Sequence, residues 1–341
     1  MRYQPMPSRP PPVFELRVAR GLARLALVFP GLMPAPRMRV RLRYYIESML
    51  LAENDPPDTA AMLTLLNRYA EFIGQIAAGK PVVYRRHGTL SLMFDAFSVQ
   101  SEMRVDDPAQ LVLGYTQSMM GVLLLRPAPG RIAMIGLGGG SLLKFCYRHL
   151  PGAVIDVAEI DAQVIAVRDQ FGIPADDARL TVHCIDGAEF VRNRKDRYEI
   201  LLVDGFDRGG QPAQLCSPAF YDDCYRSLSA DGVLVVNLLG ESMLDTLQCV
   251  ERMRASFDGA VLDVGALDSS NRIIFSFKNG LPELDPAVLQ RRIAQLDMLS
   301  PMAVQAVARA LKTERNRAVS RFGARHAVDA ASDASSASTA S

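Results

Sequence analysis

At 341 residues, with 49% hydrophobic and 22% charged residues, the chain has the composition of one large globular domain or two smaller ones. That excludes a globally disordered, collagen-like or fibrous chain. Net charge is +1, but residues 1–50 hold nine Arg against two Glu, which leaves −6 for residues 51–341. A mildly acidic body is a poor partner for a polyanion, so no nucleic-acid binding is expected.

No apolar run reaches the ~18 residues of a membrane span, and no membrane association is expected. The stretch from Leu22 to Met33 is short and interrupted by Arg24 and Pro30. Pro-Ala-Pro-Arg follows it rather than a small-x-small cleavage site, which argues against a secretory signal. The five cysteines (Cys146, Cys184, Cys216, Cys224 and Cys249) form no CxxC pair, and the four histidines show no metal-ligand spacing. The expectation is reduced thiols, a cytoplasmic location and no metal.

Residues 1–55 read as an N-terminal extension, Pro-rich from Met6 to Val13 and studded with Arg. A mis-assigned start codon, with Met49 as an alternative start, gives the same pattern. Residues 58–78 have helical apolar spacing behind a capping Asp58. Pro81-Val-Val-Tyr and Leu90-Ser-Leu-Met-Phe alternate like strands, punctuated by Gly88 and Asp95, with Phe97-Ser-Val-Gln after them. These segments, 56–128 in all, read as a helix and a small antiparallel element. A further helix, about Pro108 to Leu125, leads into the next region.

From residue 131 strands and helices alternate. Strands are predicted at Ile132–Ile135, Val154–Glu159, Leu180–Cys184, Ile200–Asp204 and Val233–Asn237. Helices are predicted at Ser141–His149, Ala162–Phe171, Ala188–Arg194, Pro218–Leu228 and Ser242–Ala255. Two last strands, Ala260–Val264 and Arg272–Phe277, are joined by Asp268-Ser-Ser-Asn, a hairpin signal. Such alternation predicts an α/β fold with a mostly parallel sheet covered on both faces, over residues 129–282. Residues 283–326 read as helical. Residues 327–341, rich in Ala, Ser and Asp, read as a disordered tail.

Four clusters at strand ends carry chemistry. Ile135-Gly-Leu-Gly-Gly-Gly-Ser141 follows a strand and opens a helix. Gly136, Gly138, Gly139 and Gly140 let the backbone approach a ligand, although such a loop also closes a tight strand–helix turn. Glu159, at the end of the next strand, lies 23 residues after Gly136, the spacing at which a carboxylate accepts from both hydroxyls of a ribose. Asp161 reads as a helix cap. In Cys184-Ile-Asp186-Gly187-Ala188, Asp186 either accepts from an adenine amino group or caps the following helix, and Ala188 can flank the ring. In Val203-Asp204-Gly-Phe-Asp207-Arg208, two carboxylates three apart either face the same cleft or form a solvated turn. In a cleft, one aligns an amine nucleophile and takes its proton while the other holds a distal ammonium. All these positions fall where open α/β sheets bind ligands.

The order and spacing of these clusters resemble the spermidine synthases, the polyamine aminopropyltransferases. The likeness is carried by Gly136-Leu-Gly-Gly-Gly, Ala158-Glu-Ile-Asp, Leu180-Thr-Val-His-Cys-Ile-Asp-Gly-Ala-Glu-Phe, Val203-Asp-Gly-Phe-Asp and Leu215-Cys-Ser-Pro-Ala-Phe-Tyr. Upstream, Asp95, Val99-Gln100 and Tyr115-Thr-Gln117 are similar to the family's N-terminal strand and Tyr-x-Glu element. The resemblance spans about residues 82–280. It implies a seven-stranded, mostly parallel, Rossmann-like methyltransferase sheet. It also implies aminopropyl transfer from an adenosyl sulfonium donor, decarboxylated S-adenosylmethionine or S-adenosylmethionine, to a small amine. By the same resemblance Glu159 binds ribose and Asp186 the adenine amino group. Asp204 is the aligning base, Asp207 an ammonium anchor, and Tyr115 a wall of the reaction site. A homodimer is allowed for.

The chain departs from the family at several places. Gly139 stands where the family carries an Asp, and is expected to leave room for the carboxylate of full S-adenosylmethionine. Gln117 replaces a Glu, Asp207-Arg-Gly-Gly-Gln replaces Asp-Pro-x-Gly-Pro, and an aromatic channel segment is missing before Arg272. Two rival readings follow: an S-adenosylmethionine-dependent methyltransferase or divergent paralogue, and a catalytically idle adenosyl-ligand-binding protein.

Overall fold

The computed structural model describes residues 74–75, 78, 80–86, 88–94, 99–206, 210–239, 243–266 and 268–317. The chain divides into two compact units, residues 1–78 and 79–341. The elements below belong to the second. The extension over 1–55, nearly all of the expected helix over 58–78, Asp95, Asp207, Arg208 and the tail over 327–341 lie outside the described residues.

Three strands, β1 (Val82–Arg86), β2 (Thr89–Met93) and β3 (Val99–Arg104), form an antiparallel meander. Gly88, with φ +80°, supplies the left-handed turn between the first two. β3 extends the Val99-Gln100 segment to Arg104, and its Ser101 and Met103 are buried.

The main sheet has seven strands: β4 (Arg131–Ile135), β5 (Val154–Glu159), β6 (Leu180–Cys184), β7 (Tyr198–Val203), β8 (Leu228–Leu238), β9 (Val261–Gly265) and β10 (Arg272–Phe277). Their spatial order is β6-β5-β4-β7-β8-β10-β9. The first five strands run parallel, and β10 pairs antiparallel with both β8 and β9. This is the seven-stranded, mostly parallel sheet predicted, closed by the hairpin at Asp268-Ser-Ser-Asn. β4 and β7 are neighbours from which the chain winds outward in opposite directions, so the loops after them part and leave a crevice.

Both faces of the sheet are covered. Ile132, Met134, Ile155, Val157, Ile200 and Leu202 pack with one apolar set that includes Met119, Leu143, Val307 and Leu311. Ala133, Ile135, Ala158, Leu201 and Val203 pack with another that includes Phe190, Tyr221 and Val250. A strand buried on both faces needs apolar residues at every position, which is why these strands read as runs rather than alternations.

The helices are α1 (Gly114–Met120), α2 (Ser141–His149), α3 (Ala162–Ala166), α4 (Gly187–Arg192), α5 (Pro218–Ser227), α6 (Met243–Ser256), α7 (Pro286–Gln295) and α8 over 301–317. Two differ from expectation by several residues. The helix expected from Pro108 begins at Gly114, where its first N–H group meets an acceptor from a distant loop described below. The helix expected over Ala162–Phe171 changes to a 3-10 turn at Arg168–Phe171, ending on left-handed Gly172. That over Pro108–Leu125 likewise closes in a 3-10 turn, Gly121–Leu124. Among the described residues no helix is long and apolar enough to cross a membrane.

Candidate active site

The crevice between the ends of β4 and β7 is built from backbone. The N–H of Gly136 donates to Ala158 O at 2.8 Å, and that of Asp204 donates to Ile135 O at 2.9 Å. Gly136 adopts φ +94°, and a Cβ there would collide with the carbonyl of Asp204. Glycine is therefore required for close approach of the two loops as well as for φ. Above them opens a cavity of about 620 Å³ lined by Gly136, Leu137, Gly138, Ser141, Glu159, Asp186, Gly187, Asp204 and Tyr115, among others.

Glu159 is buried at the end of β5 and fastens the floor of this cavity. Its Oε2 accepts from the Leu137 N–H in the glycine loop and its Oε1 from the Asp161 N–H, both at 2.9 Å. Each oxygen retains a lone pair for a ligand hydroxyl. Sequence reasoning missed this structural tie. Asp161 caps α3 as expected, accepting from Gln163 N at 2.8 Å.

Asp186 caps α4: Oδ1 accepts from Ala188 N at 2.8 Å and Glu189 N at 3.1 Å. It also lines the cavity, so the two readings of this residue are compatible. Ala188, Gly139 and Gly140 are not cavity-lining residues. On its Cβ side Gly139 has no free space. A Cβ there would lie 2.7 Å from Ser101 Oγ and 2.9 Å from the Phe171 ring. Ser101 comes from β3 and its hydroxyl hydrogen-bonds that of Ser141 at 3.1 Å. The small sheet thus fills the space that the glycine vacates. Gly140, with φ +68°, is backed by Ile173.

Asp204 sits half-buried at the end of β7, held at both oxygens. Tyr115 on α1 donates its hydroxyl to Oδ2 at 3.2 Å, and Asn237 at the end of β8 donates Nδ2 to Oδ1 at 2.8 Å. Asn237 Oδ1 in turn accepts from Asn271 Nδ2 at 2.9 Å. Loss of water pushes the Asp204 carboxyl up from its ordinary value, against the two donors, which favour the ionised form. Desolvation and the neighbouring carboxylate hold the Tyr115 phenol well above its usual value, so it stays a donor. Asn237 and Asn271 were not singled out from sequence. The available signal was one amide closing an otherwise apolar buried run, Val233-Leu-Val-Val-Asn237.

Gln117 does not face the cavity. Its Nε2 donates to Leu111 O and its Oε1 accepts from Ser300 N, both at 2.9 Å, tying α1 to the segment that opens α8. A glutamate could serve Ser300 but has no donor for Leu111. Among the described lining residues the charged side chains are Glu159, Asp186 and Asp204, with no Lys, Arg or His. Among the described residues no group of three or more His, Cys, Asp or Glu is disposed to hold a metal.

Residues 113–266 match the spermine/spermidine synthase domain. The polyamine aminopropyltransferase of Chromobacterium violaceum is 35% identical over 209 residues, which cover 61% of this chain and 79% of that one. Among solved structures, human methyltransferase-like protein 13 in complex with SAH is similar at TM-score 0.48 and 22% identity, covering 58% of this chain and 92% of that one. Spermidine synthase from Thermotoga maritima is similar at TM-score 0.46 and 19% identity, covering 66% and 78%. With that identity maintained over more than two thirds of a curated relative, the chain belongs to the polyamine aminopropyltransferase family of the spermine/spermidine synthase domain.

Proposed function

We propose that the protein transfers an aminopropyl group from decarboxylated S-adenosylmethionine to the terminal amine of a small polyamine-type acceptor. The observation that carries this is the charge of the cavity: three carboxylates and no basic side chain among its described lining. Such a lining suits two cationic substrates, a sulfonium with a terminal ammonium and a polyamine. An acidic wall would repel a substrate bearing its own carboxylate.

In this reading Glu159 and Asp186 take the ribose and the adenine, and the loop at Gly136 and Gly138 lets the backbone lie against the donor. The donor supplies a carbon made electrophilic by positive sulfur. The chain aligns the attack and handles one proton. The acceptor amine is an ammonium near neutral pH and must lose a proton before its lone pair is free. Asp204 takes that proton. The nitrogen–carbon bond forms as the carbon–sulfur bond breaks, and 5′-methylthioadenosine leaves with the sulfur electron pair. Desolvation raises the proton affinity of Asp204 toward that of a useful base, while Tyr115 and Asn237 fix its direction. No metal takes part in this scheme. The five free thiols fit a reducing compartment, and we place the protein in the cytoplasm.

One feature favours methyl transfer from full S-adenosylmethionine as a second reading. The cavity wall next to the glycine loop offers neutral groups, Gln100, Ser101 and Ser141, in place of a carboxylate. Calorimetry with each donor, and a product assay with putrescine, separates the two. Release of 5′-methylthioadenosine with an extended polyamine supports aminopropyl transfer, and formation of S-adenosylhomocysteine supports the alternative.

A further inference from the structure

Two side chains of the loop joining β9 and β10 reach the Asp204 environment by separate routes. Asn271, buried at the end of that loop, donates Nδ2 to Oδ1 of Asn237 at 2.9 Å. Asn237 is itself buried, and its other amide atom, Nδ2, donates to Asp204 at 2.8 Å. An amide has a donor end and an acceptor end. Whatever occupies one end decides which is presented at the other. Asn271, as a donor, commits the oxygen of Asn237 to itself and so turns the NH2 group toward the carboxylate. With the amide reversed, a carbonyl oxygen would face Asp204 and repel its charged form.

The second route runs through Asp268. Helix α1 has Leu113 at its N-cap, which offers no capping side chain. Its first N–H, from Gly114, instead donates to Asp268 Oδ2 at 2.9 Å. The carboxylate occupies the place where a Cβ of residue 114 would stand, so this approach requires glycine. An acidic group at a helix N-terminus is favourable in charge as well as in hydrogen bonding. The next residue is Tyr115, whose hydroxyl reaches the other oxygen of Asp204 at 3.2 Å. The loop is itself closed by a hydrogen bond from Ala266 N to Asn271 O at 2.9 Å, so the two side chains belong to one turn.

We propose that the β9–β10 turn is a positioning device for Asp204: Asn271 sets the amide orientation of Asn237, and Asp268 sets the start of the helix that carries Tyr115. Asp268 does not line the cavity; Asn271 does, but its amide Nδ2 is committed to Asn237. Both act through donors that do touch the carboxylate. The proposal rests on the reading of Asp204 as the base for its functional meaning, but its geometric claim stands apart from any substrate.

The test is therefore made on the carboxylate itself. Tyr115 is the titratable group in contact with Asp204, from α1. Glu159 from β5 and Asp186 from the start of α4 line the same cavity, and the contacts from β8 and the β9–β10 turn come through the neutral Asn237 and Asn271. The full-length protein, labelled with 13C at aspartate carboxyls, is titrated by infrared difference spectroscopy, with Asp204→Asn identifying the Asp204 band. Asn271→Ala moves the Asp204 midpoint upward by about one pH unit, the size of one weakened hydrogen bond to a charged group. Asn271→Asp moves it further, because it also brings a like charge. A shift in Asn271→Asp alone would show a charge effect without amide orientation and would overturn the Asn271 half of the proposal. Asp268→Ala, at an exposed site, moves the midpoint in the same direction as Tyr115→Phe. An unchanged midpoint in Asp268→Ala overturns the other half. Absence of aminopropyl transfer by wild type would instead count against the proposed function and leave these titrations as they are.

Discussion

The hydroxyl of Tyr115 donates to Oδ2 of Asp204 at 3.2 Å, joining α1 to the end of β7 across 89 positions of sequence. The contact sits beside the loop crossing at Gly136, so one carboxylate lies between a phenol, an amide and the cavity. Desolvation raises its proton affinity, and that has a consequence for stability with a definite sign. A carboxyl raised in the folded state stabilises the fold while it is protonated, and this contribution is lost as pH rises through the raised value. At pH 7 the ionised Asp204 is therefore a cost to the fold. Asp204→Asn is expected to melt higher than wild type at pH 7, with the gap closing as pH falls. The same substitution should lower kcat by about 10²–10⁴-fold, the usual worth of a general base. Paired melting curves and turnover numbers check both signs.

Glu159 serves the fold and the proposed ligand together, and two substitutions separate these duties. Glu159→Ala removes both acceptors for Leu137 N and Asp161 N and is expected to weaken 5′-methylthioadenosine binding by about 1.5–3 kcal/mol, as for hydrogen bonds to a charged group. Glu159→Gln keeps one acceptor oxygen and should retain more stability than affinity. Calorimetry beside chemical denaturation reads the two. Unchanged affinity in Glu159→Ala would remove the ribose assignment.

Gly139→Asp is not a simple change of donor preference, because the site beside Gly139 is occupied by Ser101 and Phe171. The substitution is expected to cost about 1–3 kcal/mol of stability, the range for overpacking a filled site. Ser101→Gly in the same chain should recover part of that loss. Urea denaturation of the single and double variants decides it. A fully stable Gly139→Asp protein would mean that the small sheet moves aside easily.

Lys144 offers a prediction at alkaline pH. It is buried on α2, where Nζ donates to Phe171 O at 2.8 Å, and burial lowers its pKa from 10.5 to about 8. Between these values the unfolded chain holds the proton and the folded one does not, so this residue makes stability rise with pH through that window. Lys144→Met removes the effect. Wild type should gain stability relative to Lys144→Met between pH 8 and 10, and parallel curves over that range would contradict the assignment.

Much of the fold is legible in the sequence because the parallel strands and their helices are specified locally. Val154–Glu159, Leu180–Cys184, Arg272–Phe277 and Ser141–His149 have the predicted limits, each bounded by a cap, a turn or a glycine. The start of α1 was misplaced because its cap, Asp268, arrives from 154 positions away. The same is true of the site. Glu159, Asp186 and Asp204 announce themselves as acidic residues at strand ends, Tyr115 is reached only through the family resemblance, and the structure brings all four to one cavity. The space at Gly139 could not be read from its own loop, since Ser101 closes it from another sheet. Asn271 looked like turn chemistry alone, and its role depends on the antiparallel register that sets Ile273 opposite Asn237.

The central claim is that the cavity carries out aminopropyl transfer with Asp204 as the base, and a single coupled product assay tests it. Purified protein is given decarboxylated S-adenosylmethionine and putrescine, and 5′-methylthioadenosine and extended polyamine are quantified together by mass spectrometry. The account predicts equal amounts of the two products from wild type and a loss of both in Asp204→Asn. Formation of S-adenosylhomocysteine from S-adenosylmethionine, with no 5′-methylthioadenosine from the decarboxylated donor, would contradict it.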